Sequence, residues 1–268
     1  MHNKKPLHLS LRPKTLAEFI GQKHLLDDTC PLQAMIANKY LQSMILWGPP
    51  GAGKTTLAKL LSKEVNASFH SLDATDSTVK DIRNIAKLAQ VQDRQLVLFI
   101  DEIHRFNKAQ QDVLLPMVEE GIITLIGVTT EKPKFSVNST LLSRCLVYEL
   151  MPYDINDMLK ILSNALQFMK VNFNKHIELT SDSIKSLINK CSGDVRKMIT
   201  ILELASAFPA VSITPEVIDK LIPDKHLIFS ANGSEHFDLA SCYQDAIQHS
   251  DPDGAIYWLA KWIESGED

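Results

Sequence analysis

Cysteine is sparse in this chain and never clustered. Cys30, Cys145, Cys191 and Cys242 stand singly, with no C-x-x-C pair and no histidine at zinc-binding spacing, which excludes a disulfide framework and a metal cluster. Four reduced, mostly packed thiols are expected. Long apolar runs are missing as well. No stretch approaches the ~18 residues of a membrane-spanning helix, and the opening MHNKKPLHLSLRPK lacks the apolar centre of a secretory leader. The expectation is a cytoplasmic protein without a membrane partner. Nor does one sign of charge dominate: 28 basic residues against 32 acidic ones give a net charge of −4. Nucleic acid would therefore have to be bound through a local patch or through the arrangement of several subunits. Arginine is the scarcer cation, six residues against 22 lysines, so the placement of each arginine carries weight.

What the chain has is an ordinary globular composition, 45% hydrophobic over 268 residues, enough for one or two cores. From Met44 to Leu150 short apolar runs alternate with segments of helical spacing: MILW, Leu57 to Val65, SFHSL, Val79 to Leu88, LVLFI, Gln110 to Val118, ITLIGVTT and LVYEL. This β-α-β-α rhythm, with almost uninterrupted apolar strands, predicts an α/β domain over 1–151 whose parallel sheet is covered by helices on both faces. After Pro152 only helical spacing remains, with Thr180 and Asp194 as N-caps and Pro215 at the first position of a helix. A helical domain is expected over 152–225. Asn232 to Glu235 reads as a linker, and DLASCYQDAIQ and GAIYWLAKWI predict two further helices within 226–268. The sequence shows nothing that closes the apolar face of the second. The chain is therefore expected to be a fragment, or a partner covers Tyr257, Trp258 and Trp262, with burial in a core the plainer expectation for these three.

The most informative run is GPPGAGKTT, Gly48 to Thr56, placed between a predicted strand and a predicted helix. It fits G-x-x-x-x-G-K-[ST]. Gly48, Pro49, Pro50, Gly51, Ala52 and Gly53 would let the backbone wrap closely round phosphate oxygens, with amide N–H groups and the positive end of the following helix directed inward. Lys54 then reaches the β- and γ-phosphates of a nucleotide. Thr55, next to Thr56, offers a hydroxyl to Mg²⁺, a hard cation that prefers oxygen.

A second constellation completes the chemistry. LVLFIDEIHR puts Asp101 and Glu102 at the end of a buried strand, 47 positions after Lys54, at the sheet edge that faces the phosphate loop. Asp101 is expected to hold Mg²⁺, and Glu102 to orient or deprotonate the water that attacks the γ-phosphate. Thr129, with Thr130 as the near alternative, would hydrogen-bond the γ-phosphate or that water. Arg144 in LLSRC precedes the last strand. Its planar guanidinium suits the spread charge of a transferring phosphoryl group, whereas capping of helix carbonyls is its plainer role. Arg196 in SGDVRKM would reach the phosphates from the helical domain. His104 reads as a surface or supporting residue.

Read in order, LRPKTLAEFIGQKHLL, GPPGAGKTTLA, LFIDEIHRFNKAQQDVLLPMVEEGIITLIGVTTEKPKF, NSTLLSRC and SGDVRKMITILE resemble the AAA+ ATPases. Within them the chain is most similar to the replication-associated recombination protein family, which includes the Werner-helicase-interacting protein and is related to clamp-loader subunits. The resemblance runs from about Ser10 to the end, with SEHFDLAS and SDPDGAIYWLAKWIESGED similar to the opening of a helical region that mediates tetramer formation and is truncated here. It implies an AAA+ α/β domain, an all-α lid and the beginning of an oligomerisation domain. Arg12, Pro13, Ile20 and Gly21 would line the adenine pocket, Thr129 would be a first sensor, Arg144 a finger acting on a neighbour's ATP, and Arg196 a second sensor. It also implies ATP and Mg²⁺ as cofactors, and ATP hydrolysis stimulated by single-stranded or branched DNA and duplex ends. Action at stalled replication forks, contact with single-strand-binding protein, homo-oligomers and a nucleoid-associated place in the cytoplasm follow from it too. Lys132 and Lys134 depart from the family's usual Asn and Ser, beside the first sensor.

Other classes fit less well. A protein-unfolding AAA+ machine needs an aromatic-apolar-Gly pore loop, which SLDATDSTVKDIRN lacks. A clamp-loader subunit shares the SRC triplet at Ser143 to Cys145 but implies a collar domain that SDPDGAIYWLAKWI does not resemble. A RuvB-type branch-migration motor is more distant. A small-molecule kinase would need only the phosphate loop, and a scaffold that binds ATP without turnover would not need Glu102, Thr129 and Arg144 together.

Overall fold

The structure is a computed structural model that describes residues 6–27, 29–173, 177–206, 212–221 and 234–264. The chain divides into two compact units, Met1–Leu221 and Ile222–Asp268. In chain order the first unit carries α1 (Leu7–Ser10), α2 (Lys23–Leu26), α3 (Pro31–Ala37), β1 (Met44–Trp47), α4 (Lys54–Glu64), β2 (Ser68–Asp73), α5 (Val79–Gln90), β3 (Leu96–Asp101), α6 (Lys108–Glu119), β4 (Thr124–Thr129), α7 (Pro133–Ser136), α8 (Ser139–Leu142) and β5 (Leu146–Glu149). There follow α9 (Ile155–Phe173), β6 (Glu178–Leu179), α10 (Ser181–Cys191), α11 (Val195–Ala205), β7 (Ser212–Ile213) and α12 (Pro215–Leu221).

Five strands form one parallel sheet in the order β2-β3-β4-β1-β5. The side-chain alternation of a strand divides its apolar residues between two cores. On one face Met44 and Leu46, Val97 and Phe99, and Ile126 and Val128 pack with Leu57, Ala58 and Leu61 of α4 and with Leu32 of α3. On the other, Ile45, Leu98, Ile100 and Leu125 pack with Ile82 and Ile85 of α5, Leu114 of α6 and Leu141 of α8. Both faces are covered, which is why the central strands read as continuous apolar runs. Capping boxes fix where α5 and α6 start: Thr78 and Asp81, and Asn107 and Gln110, exchange side-chain and backbone hydrogen bonds.

The lid, α9 to α12, buries Met158, Leu162 and Met169 on α9, Leu187 and Ile188 on α10, Met198, Ile199 and Leu202 on α11, and Ile218 on α12. Thr180 and Asp194 accept hydrogen bonds from the N–H groups of Ser183 and Lys197 at the starts of α10 and α11, and Pro215 opens α12. One element differs from the expectation of a purely helical lid. β6 and β7 pair in parallel, Glu178 with Ser212 and Leu179 with Ile213, and two residues are too short a run to show a strand's period.

An arm of 6–42 precedes β1 and spans both parts of the unit. Leu7 of α1 is 1% exposed, and its N–H lies 3.2 Å from both carboxylate oxygens of Glu203 on α11. Phe19, Leu25, Leu32 and Met35 join the sheet core. Between them Gln22, in the left-handed region at φ 52, accepts a hydrogen bond from the N–H of Met151 at 3.0 Å and donates to its C=O at 2.6 Å. This two-way clasp holds the junction of sheet and lid.

The second unit contains α13 (Ser234–Gln248) and α14 (Pro252–Glu264). They pack on each other through Tyr243 and Trp262, whose rings meet edge to face at 5.9 Å. Tyr257 is 57% exposed and stacks edge-on to Trp258, so the expectation of a buried Tyr257 is not met. The expected linker is corrected too: Ser234 and Glu235 already belong to α13, while Asn232, Gly233 and the expected boundary at 225/226 lie outside the described residues. Among the described residues no helix is long and apolar enough to cross a membrane.

Candidate functional site

The phosphate loop runs from the end of β1 into α4, with Gly53 in the left-handed region (φ 94) just before the first helical residue, Lys54. A backbone that bends this way turns successive N–H groups toward one point, at the helix end that favours anions. Beside it lies a cleft of about 520 Å³. Pro50, Gly51, Ala52, Gly53, Lys54, Thr55 and Thr56 form one wall, Asp101 and Glu102 the sheet end, Arg12, Pro13 and Ile20 the arm side, and Arg196 the lid side. Gly21, Gly48, Pro49, Thr129 and Arg144 are not among the described residues that line it.

Lys54 is 7% exposed, and its ammonium donates to the C=O of Gly48 at 2.6 Å and of Pro49 at 2.8 Å. Gly48 and Pro49 thus stand behind the loop and aim the lysine. Burial lowers the Lys54 pKa to about 8, opposed by the carboxylates of Glu102 and Asp101 and reinforced by Arg196. The Arg12 pKa is also lowered, first by burial and then by Arg196, with Asp101 opposing. Three cations from the arm, the loop and the lid therefore share one field. Like charges held together this way favour a ligand with several negative charges.

Aromatic and aliphatic groups complete the other end of the cleft: Phe19, Ile20, Tyr153, Ile161, Phe168 and Ile199. Burial, with Asp157 nearby, raises the Tyr153 hydroxyl to about 12. Gly21, at φ +82, backs onto this ring, where an added Cβ would fall 2.8 Å from Tyr153 Cδ1. Gly51 is closed over by the lid. Its φ is +75 and a Cβ there would sit 2.0 Å from Asp194 Oδ1, the atom that also accepts the hydrogen bond of Lys197 N–H at the start of α11.

Asp101 ends β3 beside Asp73 of β2, and Glu102 follows in the left-handed region at φ 53. A non-glycine residue in that region costs about 1–2 kcal/mol, and such strain is found where function needs the geometry. Behind it lies a contact that sequence reading missed. His104, on the short 3-10 turn Ile103–Arg105, places Nδ1 2.9 Å from Thr129 Oγ1 and 3.3 Å from Glu102 Oε2. Thr129 Oγ1 also accepts the N–H of Glu131 at 3.0 Å. Thr129 is 0% exposed, so Thr130 is the one of the two threonines that lines the cleft.

Arg144 lies apart. It follows α8, donates to Thr140 C=O at 2.8 Å and Ser143 Oγ at 3.0 Å, and forms an ion pair with Glu119. In its own chain it makes the helix-end contacts of its plainer reading. Sequence reading gave His104 as a surface or supporting residue without its partners, and it missed Gln22, which also reaches Ala52 C=O at 3.4 Å, and Tyr153 and Phe19. No local pattern marks them, since each acts through residues distant in the chain.

Comparison with known proteins places this geometry. The profile of the Holliday junction DNA helicase RuvB P-loop domain matches residues 11–144, half of the chain. The chain belongs to the AAA+ P-loop family. An AAA C-terminal domain profile matches 173–248, covering part of the AAA+ lid and reaching into the second unit. Among curated relatives, replication-associated recombination protein A of Escherichia coli (strain K12) is 38% identical over 273 residues, 98% of this chain and 61% of the relative. The same-named protein of Bacillus subtilis (strain 168) is 34% identical over 98% of this chain and 64% of its own. ATPase WRNIP1 of Dictyostelium discoideum is 34% identical, and the match covers 32% of its length. The chain thus spans about three fifths of the length of the first of these. Among solved AAA+ structures, the Thermotoga maritima RuvB Holliday junction branch migration motor aligns with a TM-score of 0.65 at 27% identity, over 90% of this chain and 80% of that one.

Proposed function

We propose that the protein hydrolyses ATP and uses the energy in DNA recombination and repair at stalled replication forks. The observation that carries the chemistry is the convergence of Arg12, Lys54 and Arg196 with Asp101 and Glu102 around the phosphate loop. The triphosphate lies against Lys54 and the loop amides, and the base lies among Ile20, Tyr153 and Phe168. Thr55 and Asp101 line the same cleft and offer a hydroxyl and a carboxylate, the hard oxygen donors that Mg²⁺ takes beside its own waters. When bound there, the metal neutralises charge on the phosphate oxygens. Glu102 accepts a proton from water as that water's oxygen bonds to the γ-phosphorus. The bond to the bridging oxygen breaks, its electron pair leaves with ADP, and orthophosphate forms.

The coupling to DNA rests on the relatives named for replication-associated recombination and on the family of a branch-migration helicase. In this reading single-stranded DNA, branched DNA or duplex ends stimulate turnover in the cytoplasm at the nucleoid. Single-strand-binding protein is a partner, and Arg144 serves the ATP of a neighbour in a homo-tetramer. A RuvB-like motor acting on a four-way junction is the second reading, favoured by the structural likeness to that motor.

The test is the ATPase rate of full-length protein with Mg²⁺, alone and with single-stranded DNA, duplex ends or a four-way junction, over a range of low salt. Stimulation by strands and ends is expected. Stimulation by the junction alone selects the second reading, and a rate indifferent to every DNA removes the DNA coupling. Glu102→Gln should bind ATP and not turn it over. Unchanged hydrolysis would remove Glu102 from the base role.

A further inference from the structure

We propose that His104 is a positioning residue for hydrolysis, holding the Glu102 carboxylate and the Thr129 hydroxyl in one array. The proposal rests on the ATPase reading above. The His104 side chain is 14% exposed, so its ring is held by protein contacts on most sides. Nδ1 lies 2.9 Å from Thr129 Oγ1 and 3.3 Å from Glu102 Oε2. A carboxylate oxygen only accepts, and a ring nitrogen lone pair directed at it would be repelled. In the proposed array the ring proton sits on Nδ1, which donates to the Thr129 hydroxyl and turns its positive edge toward the Glu102 carboxylate.

The hydroxyl of Thr129 is then fully committed as an acceptor. His104 Nδ1–H and the Glu131 N–H at 3.0 Å occupy both of its acceptor positions, which leaves only its own hydrogen to direct. Thr129 itself is buried, so it is joined to the cleft through His104. The ring's other nitrogen lies 3.8 Å from the Glu131 carboxylate, a second acidic neighbour on its far side. The last residue of β4 and the residue after β3 are thus linked by one imidazole. Without that link the Glu102 carboxylate is free to change rotamer, and a displacement of about 1 Å at a reacting group costs roughly 10²-fold in rate.

The experiment compares His104→Ala, His104→Asn and His104→Gln in the full-length protein. His104→Ala should lower kcat roughly 10²-fold with KM for ATP within about twofold of wild type, because the lost effect is on the reacting geometry and not on nucleotide binding. Asn carries its amide N–H where Nδ1–H stands and should recover most of the rate, whereas Gln reaches the position of Nε2 and should recover little. In a double-mutant cycle, adding Thr129→Val to His104→Ala should cost less than Thr129→Val costs alone. Three results would overturn the proposal: a His104→Ala rate within about threefold of wild type, Asn no better than Gln, or additive losses in the cycle. If His104→Ala does not fold, judged by binding of fluorescent ADP, the Asn and Gln variants decide. Absence of turnover in wild type strikes the ATPase reading itself, whereas equal turnover of wild type and variants strikes only the role of His104.

Discussion

Asp194 closes over Gly51 so tightly that a methyl group on residue 51 would lie 2.0 Å from its Oδ1. The same carboxylate caps α11, which carries Arg196 into the cleft. Gly51→Ala should therefore displace the start of α11 from the loop and weaken ATP binding at least about tenfold, read by anisotropy of a fluorescent ATP analogue. Asp194→Ala removes the clash but also the cap, which costs about 1 kcal/mol and about 2–4 °C in Tm for a unit of this size. In Gly51→Ala/Asp194→Ala, affinity should recover only in part, because φ +75 still disfavours alanine. Wild-type affinity in Gly51→Ala would show that the loop and the lid are not coupled here.

Glu102 occupies a backbone conformation that only glycine adopts without strain. Glu102→Gly should be more stable than Glu102→Ala by about 1 kcal/mol, measured by urea unfolding, while neither variant turns ATP over. Equal stability of the two would mean that the left-handed conformation is not kept in solution.

Arg144 spends its hydrogen bonds on α8 and on Glu119, away from the cleft of its own chain. If it serves a neighbour, Arg144→Ala should lower turnover by roughly 10³-fold. Mixing Arg144→Ala subunits with Glu102→Gln subunits should restore part of it, since each variant supplies what the other lacks. A mixture as inactive as its components sinks the action between subunits.

Burial raises the Cys145 thiol to about 12 and the Cys191 thiol to about 11. A raised pKa moves thiolate formation to higher pH, so at pH 8 the reactive fraction is only about 10⁻⁴ for Cys145 and 10⁻³ for Cys191. Brief iodoacetamide treatment of the native protein, followed by mass spectrometry, should leave both unmodified and label them only after unfolding. Rapid native labelling of Cys145 would contradict its raised pKa.

The architecture was legible wherever the signal is contiguous. Met44 to Thr56 shows strand, glycine loop and helix in one run, and the doubly buried strands β1, β3 and β4 announce a covered parallel sheet through unbroken apolarity. The lid caps Thr180 and Asp194 were readable for the same reason, since a cap is a matter of three or four neighbouring residues. What was hidden joins distant residues. The Gln22–Met151 clasp spans 129 positions and the His104–Thr129 bond 25, and hydrophobic periodicity says which face of an element is buried without saying what lies against it. Thr129 shows this limit well. Its place at the end of β4 could be read, but not that its hydroxyl points to a histidine while Thr130 takes the cleft.

The contact of Leu7 with Glu203 bears on how the chain is made. Its partners are 196 residues apart, so at about 5–20 residues per second the first helix waits roughly 10–40 s on the ribosome before the residue that holds it has been synthesised. Until then Leu7 has no lid to enter, while β1 to β5 can already associate. Birth order and docking order are reversed for this helix, which is made before the lid it enters.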